Sequence, residues 1–357
     1  QMQAEIIIIG AGMAGLMAGR VLAAAGKKIL ILDKGRRIGG RMSSRRDAGL
    51  LFNHGAQFVT AHSPIFKDMC TEAAAKGIVG LWPATGRDMA FSGQPSMRDI
   101  ASFIGADLNV QQEVEIEQIV RLEKGGFALH AKPSSENEPA PYHCQHLLVT
   151  APAPQTAQLL QSLSPPLSKI AAAVHYAPSW TVMAELQEMP DKLAPILIDK
   201  GIIGWASCEA SRPGASPSGA LTIQASAAYS EEFLEAPAEK VTADLLADFA
   251  HQQHITAPNW GYQRAHRWRY AKVIKPAGAD APFMESQTAT LLATAGDCHP
   301  VAASPTRPAR DARADEAVLT GHRAASEMLQ KMPTYINARL KLTQGSWSKK
   351  SIKLLTP

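Results

Sequence analysis

The stretch "EIIIIGAGMAGLMAGRVLAAAGKKILILDK", residues 5–34, decides how the chain is read. The β-branched run EIIIIG suits a strand buried on both faces of a parallel sheet. MAGLMAGRVLAAAG has helix-forming composition and stops at Gly26, and KKILILDK is a second short apolar strand. Gly10, Gly12 and Gly15 stand at the strand-to-helix junction. The first allows a tight turn, the second lets a pyrophosphate approach the backbone, and the third lets helix and strand pack closely. The helix start at Met13 and Ala14 adds unpaired N–H groups and the positive end of the helix dipole. Asp33 ends the second strand 23 residues after Gly10, where a carboxylate accepts hydrogen bonds from ribose hydroxyls. Strand, helix, strand and terminal acid in this register predict a dinucleotide site.

At 357 residues the chain has room for about two domains. Its net charge is only +4, so the basic run GRRIGGRMSSRR (35–46) is a local feature and nucleic acid is not the expected partner. An arginine after a glycine pair can meet a pyrophosphate from the side opposite the helix. No apolar run approaches the roughly 20 residues of a membrane span. The IIII run is shorter than a signal-peptide core of about 7–15 residues. The expectation is a cytoplasmic protein without membrane contact, acting on a small molecule as a monomer or homodimer. Cys70, Cys144, Cys208 and Cys298 lie far apart with no C-x-x-C pair, which predicts free thiols and no metal site.

Loops are expected at KPSSENEPAPYH, EASRPGASPSG and PVAASPTRPARD, which are rich in Pro, Ser and Gly. Between them WTVMAEL, GIIGWAS, ALTIQAS and HRWRYAKV read as strands, and AEKVTADLLADFAHQQ as a helix. TATLLATAGDC reads as a late buried strand, followed by the helix DARADEAVLTGHRAASEMLQK with Asp311 as its N-cap. On the strand HRWRYAK, residues 266–272, His266, Trp268 and Tyr270 share one face and Arg267 and Arg269 the other. In FNHGAQFVTA, Gly55 and Ala56 let backbone approach a flat ring, and Gln57 can hydrogen-bond its edge.

GAGMAG with Asp33, then R-x-G-G-R at Arg37–Arg41, then the GAQ segment resemble the flavin-dependent amine oxidase superfamily. GGRMSS, GAQFVTA, TAPAPQTAQLL, HRWRYA, AGDC and RADEAVLTG are most similar to its bacterial renalase-like branch. The resemblance implies an α/β chain with a discontinuous, glutathione-reductase-like Rossmann domain binding FAD non-covalently (1–62, 93–155 and 286–333). It implies an inserted α+β substrate domain (63–92 and 156–285), with 334–357 as an extension. Gly10, Gly12, Met13, Ala14, Gly15, Asp33, Lys34, Gly40, Arg41 and Met42 would line the ADP half, and Val114 the adenine. Gly296 and Asp297 would sit by the ribityl and phosphate groups. Glu316, Ala317, Ala56 and Gln57 would sit at the isoalloxazine. Gln57, His266 and Trp268 are the pocket candidates.

The implied reaction is oxidation of isomeric dihydronicotinamides of NAD(P)H to NAD(P)+, with oxygen reduced to hydrogen peroxide and Arg267 or Arg269 meeting substrate phosphates. The alternatives are an amine or polyamine oxidase, for which Lys272 and Lys275 are the lysines in a suitable segment, and a catalytically silent flavin-binding scaffold. The chain departs from the family pattern after AGDC: CHPVAASPTRPARDA intervenes, and the turn RADEA lacks the usual glycine.

Overall fold

The computed structural model describes residues 4–133, 139–278, 280–287, 289–299 and 313–332. The opening strand Ala4–Ile9 lies inside an eight-stranded sheet. Five strands run parallel in the order Val110–Gln111, Ile29–Leu32, Ala4–Ile9, Tyr142–Val149, Thr290–Thr294. Met284–Gln287 adds antiparallel at one edge, and the hairpin Ile116–Arg121/Phe127–Ala131 pairs with the start of Tyr142–Val149.

Both faces of this sheet are covered, which explains the unbroken apolar run. Ile6 and Ile8 enter a core with the helices Met13–Ala24, Met97–Ile104 and Arg313–Lys331. Ile7 and Ile9 enter a second core with the hairpin and the helices Ala153–Leu160 and Pro165–Ala172. The last helix meets the first at a backbone contact. A Cβ at Gly321 would stand 2.2 Å from the Ala14 carbonyl oxygen.

A second, antiparallel sheet has the order Ile196–Lys200, Ile203–Cys208, Ala220–Ala225, His175–Leu186, Trp260–Lys275. The four predicted strand segments of the middle region fall here, and the predicted helix is Ala238–Gln252. That helix covers one face of the sheet, setting Val241, Leu245 and Phe249 against Val182, Leu221 and Ile223. The opposite face turns toward the parallel-sheet part, where Met183 and Ala220 meet Phe52. The chain is thus a mixed α/β protein built on a parallel Rossmann-like sheet. The predicted N-cap Asp311, most of the segment after AGDC and the 334–357 extension lie outside the described residues.

Gly321→Ala is expected to force the two helices apart and lower stability by roughly 1–3 kcal/mol in thermal unfolding. Gly278→Ala, where an added Cβ meets nothing within 4 Å, serves as the neutral control.

Candidate active site

The three fingerprint glycines do three different things. Gly10 takes a φ of +106°, which reverses the chain at the strand end. A Cβ at Gly15 would lie 1.9 Å from the Gly10 carbonyl oxygen, so strand and helix meet there at backbone distance. A Cβ at Gly12 would meet nothing within 4 Å. Gly12 caps the helix without any side-chain hydrogen bond, and the helix N–H groups behind it have no side-chain cap. Met13 and Ala14 are buried just inside the helix. The Gly39–Gly40 turn closes the opposite side: the Gly39 N–H donates to the Ala11 carbonyl at 2.8 Å, and a Cβ at Gly40 would stand 3.5 Å from the Gly12 Cα.

Asp33 is tied into this cradle. Its carboxylate accepts from the Ala11 N–H at 2.6 Å and from the Gly35 N–H at 2.7 Å. The Val114 N–H donates to the Asp33 carbonyl at 2.9 Å, so the two residues expected at the adenosine end are neighbours. Lys34 is exposed, and Met42 is buried beneath the turn.

Arg41 has a partner that the sequence reading did not anticipate. Its guanidinium donates to both oxygens of Asp297, at 2.9 and 2.7 Å, and to the Ala271 carbonyl at 3.2 Å. Two residues expected to face the cofactor separately form one fork-to-fork pair. The physical reason is that Asp297 is buried and needs a countercharge, while a third of the Arg41 side chain stays accessible. Burial opposes the Arg41 charge, but the facing carboxylate outweighs it and its pKa is raised. Asp297 is delivered by Gly296, at φ +150°, whose N–H donates to Thr320 Oγ1 on the last helix.

The GAQ segment docks on the same turn, with the Ala56 N–H on the Arg41 carbonyl at 2.8 Å. Gln57 likewise has partners that the sequence reading did not anticipate. Its amide donates to the Asn53 and Gly55 carbonyls and accepts from Ser207 Oγ and Arg212 Nη2, so it has no donor left for a ring edge. It belongs to a buried network that the sequence reading missed. Glu209 and Arg212 pair at 2.6 Å, both nearly fully buried. Glu209 also accepts from the Asn53 N–H and Nδ2, each at 2.8 Å, and from Thr222 Oγ1. Arg212 donates to the Gln57 carbonyl and lies over the Trp82 ring at 4.3 Å. The opposite charges three apart in EASR were the available signal, inside a stretch read as loop.

The long strand Trp260–Lys275 seams the two sheets together. From Tyr262 to Tyr270 its even-numbered side chains face the parallel-sheet part. The Tyr262 hydroxyl donates to Asp47, His266 packs on His54, and Trp268 stacks on His54 while donating to its carbonyl at 2.9 Å. Tyr270 packs on Tyr176, which lies under Arg41. Trp268 thus reaches the His54 backbone, next to the GAQ segment, and His266 reaches the His54 ring. Arg267 and Arg269 do not: both clamp Glu235 on the other face. Lys275 is exposed. Glu316 and Ala317 lie in the first turns of the last helix, Ala317 in the core. The buried acid of that turn is Asp315, which accepts from the His62 and Ser63 N–H groups, each at 2.8 Å. The four cysteines are buried and free, with burial pushing each thiol up to about 12. Among the described residues no cluster could hold a metal ion, and no helix is long and apolar enough to cross a membrane.

Comparison with known proteins bears on this geometry. Residues 8–73 match the model of an NAD(P)-binding Rossmann-like domain. Over 56 residues the chain is 39% identical to putrescine oxidase of Kocuria rosea, and over 68 residues 37% identical to L-amino-acid oxidase of Mus musculus. These matches span 16% and 18% of this chain and 12% and 11% of the relatives' lengths. A solved protoporphyrinogen oxidase-like protein from Exiguobacterium sp. 255-15 superposes with a TM-score of 0.65, covering 93% of this chain and 100% of its own at 12% identity. Putrescine oxidase bound to putrescine gives 0.62 over 92% and 99%, also at 12% identity. The whole described fold is shared with these proteins.

Two predictions follow from the site's own chemistry. Glu209→Gln leaves Arg212 charged and buried, and is expected to cost roughly 3–5 kcal/mol in denaturant unfolding. The second concerns acid. Burial, with the nearby charges of His266, Arg45 and Arg98, pushes the pKa of His54 down to about 3. Burial and Arg323 push that of His299 down to about 4. An unfolded histidine protonates near 6.5. Stability is therefore full above that value and falls as pH drops, by up to about 1.4 kcal/mol per pH unit for each histidine. The melting temperature should decline from about pH 6.5 to about pH 5, and decline less in His54→Asn. An identical decline in that variant would show that His54 does not contribute.

Proposed function

We propose that the chain is an FAD-dependent oxidoreductase of the amine-oxidase type, binding FAD non-covalently and oxidising a substrate carbon bonded to nitrogen. The observation that carries this reading is the glycine cradle. It is open at Gly12, walled by Gly39 and Gly40, and continuous with the backbone of Gly55 and Ala56 beneath Trp268. Its donors fit the group: free helix N–H groups suit a pyrophosphate, and the Asp33–Val114 backbone suits the adenosine end. When bound, FAD accepts the hydride and passes the electrons to oxygen.

The residues of the chain do the rest. The helix start and glycine turn hold the phosphates. The Arg41–Asp297 pair sits beside them as a charge-neutral unit, so it orients without adding net charge. Trp268, His266 and His54 keep water from the ring end, and His54 stays neutral at physiological pH because burial disfavours its charged form. No protein nucleophile is needed.

Amines and the isomeric dihydronicotinamides of NAD(P)H share the reacting unit, a C–H next to nitrogen. The matched relatives support an amine. The excess of arginine at the mouth of the seam supports the renalase-like reading. A polyamine fits less well, because three seam carboxylates are already engaged: Asp47 by Tyr262, Asp297 by Arg41, and Glu209 by Arg212.

Purified protein should be yellow and release FAD on acid precipitation. Anaerobic mixing with primary amines, L-amino acids, putrescine and isomeric dihydronicotinamides should bleach it with one class. Bleaching by none would favour the silent scaffold. Gly12→Ala should keep the fold yet weaken FAD roughly ten- to a hundredfold, the loss of one charge-assisted contact.

A further inference from the structure

The mouth of the seam carries more positive charge than the protein neutralises. Arg45 and Arg264 come from opposite sides, one from the strand Arg45–Asp47 and one from the long strand. Both guanidiniums stand beside the same oxygen of Asp47, at 3.8 and 3.9 Å, beyond hydrogen-bond reach. That oxygen already accepts from the Tyr262 hydroxyl at 2.9 Å. One occupied carboxylate therefore serves two guanidiniums.

Behind them, the Nε atoms of Arg45 and Arg98 and the Nδ1 of His54 are buried without any hydrogen-bond partner. His54 is only 6% exposed, so bulk water does not meet that nitrogen. The charges of Arg45 and Arg98 act on His54, and those of Arg45 and Arg264 on His266, which places all five groups in one neighbourhood. The Arg45 and Arg264 side chains remain 26% and 53% accessible, so an incoming molecule can reach both. A native site with this surplus of charge and unmet N–H groups is built for an anion.

We propose that Arg45 and Arg264, backed by His54, bind the anionic group of the substrate, a phosphate or a carboxylate, at the mouth of the flavin crevice. This rests on reading the crevice as a flavin site. It moves substrate recognition from Arg267 and Arg269, which Glu235 occupies, to the opposite face of the same strand. A dicationic polyamine would meet like charge here, whereas an amino acid or a dihydronicotinamide nucleotide brings the complement.

The test is calorimetric titration of the FAD-saturated full chain with inorganic pyrophosphate and, separately, with acetate. At least one anion should bind, and Arg264→Gln and Arg45→Gln should each weaken it about tenfold. Arg267→Gln should leave it unchanged. Preference for pyrophosphate assigns the subsite to phosphate, and preference for acetate assigns it to carboxylate. Arg264 is half-exposed, so its variant tests the subsite even if Arg45→Gln fails to fold. Unchanged affinity in Arg264→Gln, or no binding of either anion, overturns the proposal. Colourless protein would count against the flavin reading alone, because the calorimetric signal needs no flavin.

Discussion

The buried Glu209–Arg212 pair is the constraint on which the crevice depends. Two charges removed from water at 2.6 Å separation are not a cheap source of stability, because desolvation offsets most of their attraction. Their effect is positional. Glu209 holds Asn53 by its backbone and its side chain, and Arg212 holds Gln57 by its carbonyl and its amide. Gly55 and Ala56 lie between these two grips, so their backbone is clamped at both sides. Thr222 and Ser207 anchor the same network to the second sheet. The network therefore sets the distance between the two sheets as well as the shape of the floor.

The ceiling depends on register. A strand turns alternate residues to opposite faces, and a slip of one residue exchanges them. In Trp260–Lys275 the register pairs His266 with Thr181 and Trp268 with Ser179. This places Tyr262, Arg264, His266, Trp268 and Tyr270 along the seam, and leaves Arg267 and Arg269 to Glu235. A one-residue slip would carry those two arginines inward and expel the aromatic rings. The charge at the mouth of the crevice is thus a property of strand register and not of how basic the segment is.

What was legible in the sequence was what local backbone geometry dictates. The turn at Gly10 and the close helix–strand packing at Gly15 follow from conformation and close approach within one βαβ unit. The alternation in HRWRYAK separated the aromatic face from the arginine face, again by a local rule. What was not legible concerns partners far apart in the chain. Nothing near Arg41 indicates that Asp297, 256 residues away, takes its guanidinium. Nothing near Gln57 indicates that Arg212 and Ser207 consume its amide, and the loop-like composition around Glu209 conceals an ion pair in the core. Strand periodicity likewise sorts residues into two faces without saying which face meets the other sheet.

The last helix shows how a lost local signal is replaced. RADEA, which departs from the expected pattern by lacking a glycine, is the first turn of this helix, and its approach to the first βαβ unit was not legible from the sequence. Two residues set it instead. Asp315, fully buried, ties the helix start to the backbone of His62 and Ser63. Gly321, further along, lets the helix reach the Ala14 carbonyl at backbone distance. A helix held at one point pivots, but one held at two points almost two turns apart has its axis fixed. Between these points Thr320 bonds Gly296 in both directions, accepting from its N–H and donating to its carbonyl. The Gly296–Asp297 turn, and through Asp297 the Arg41 guanidinium, is therefore tied to the helix through Thr320.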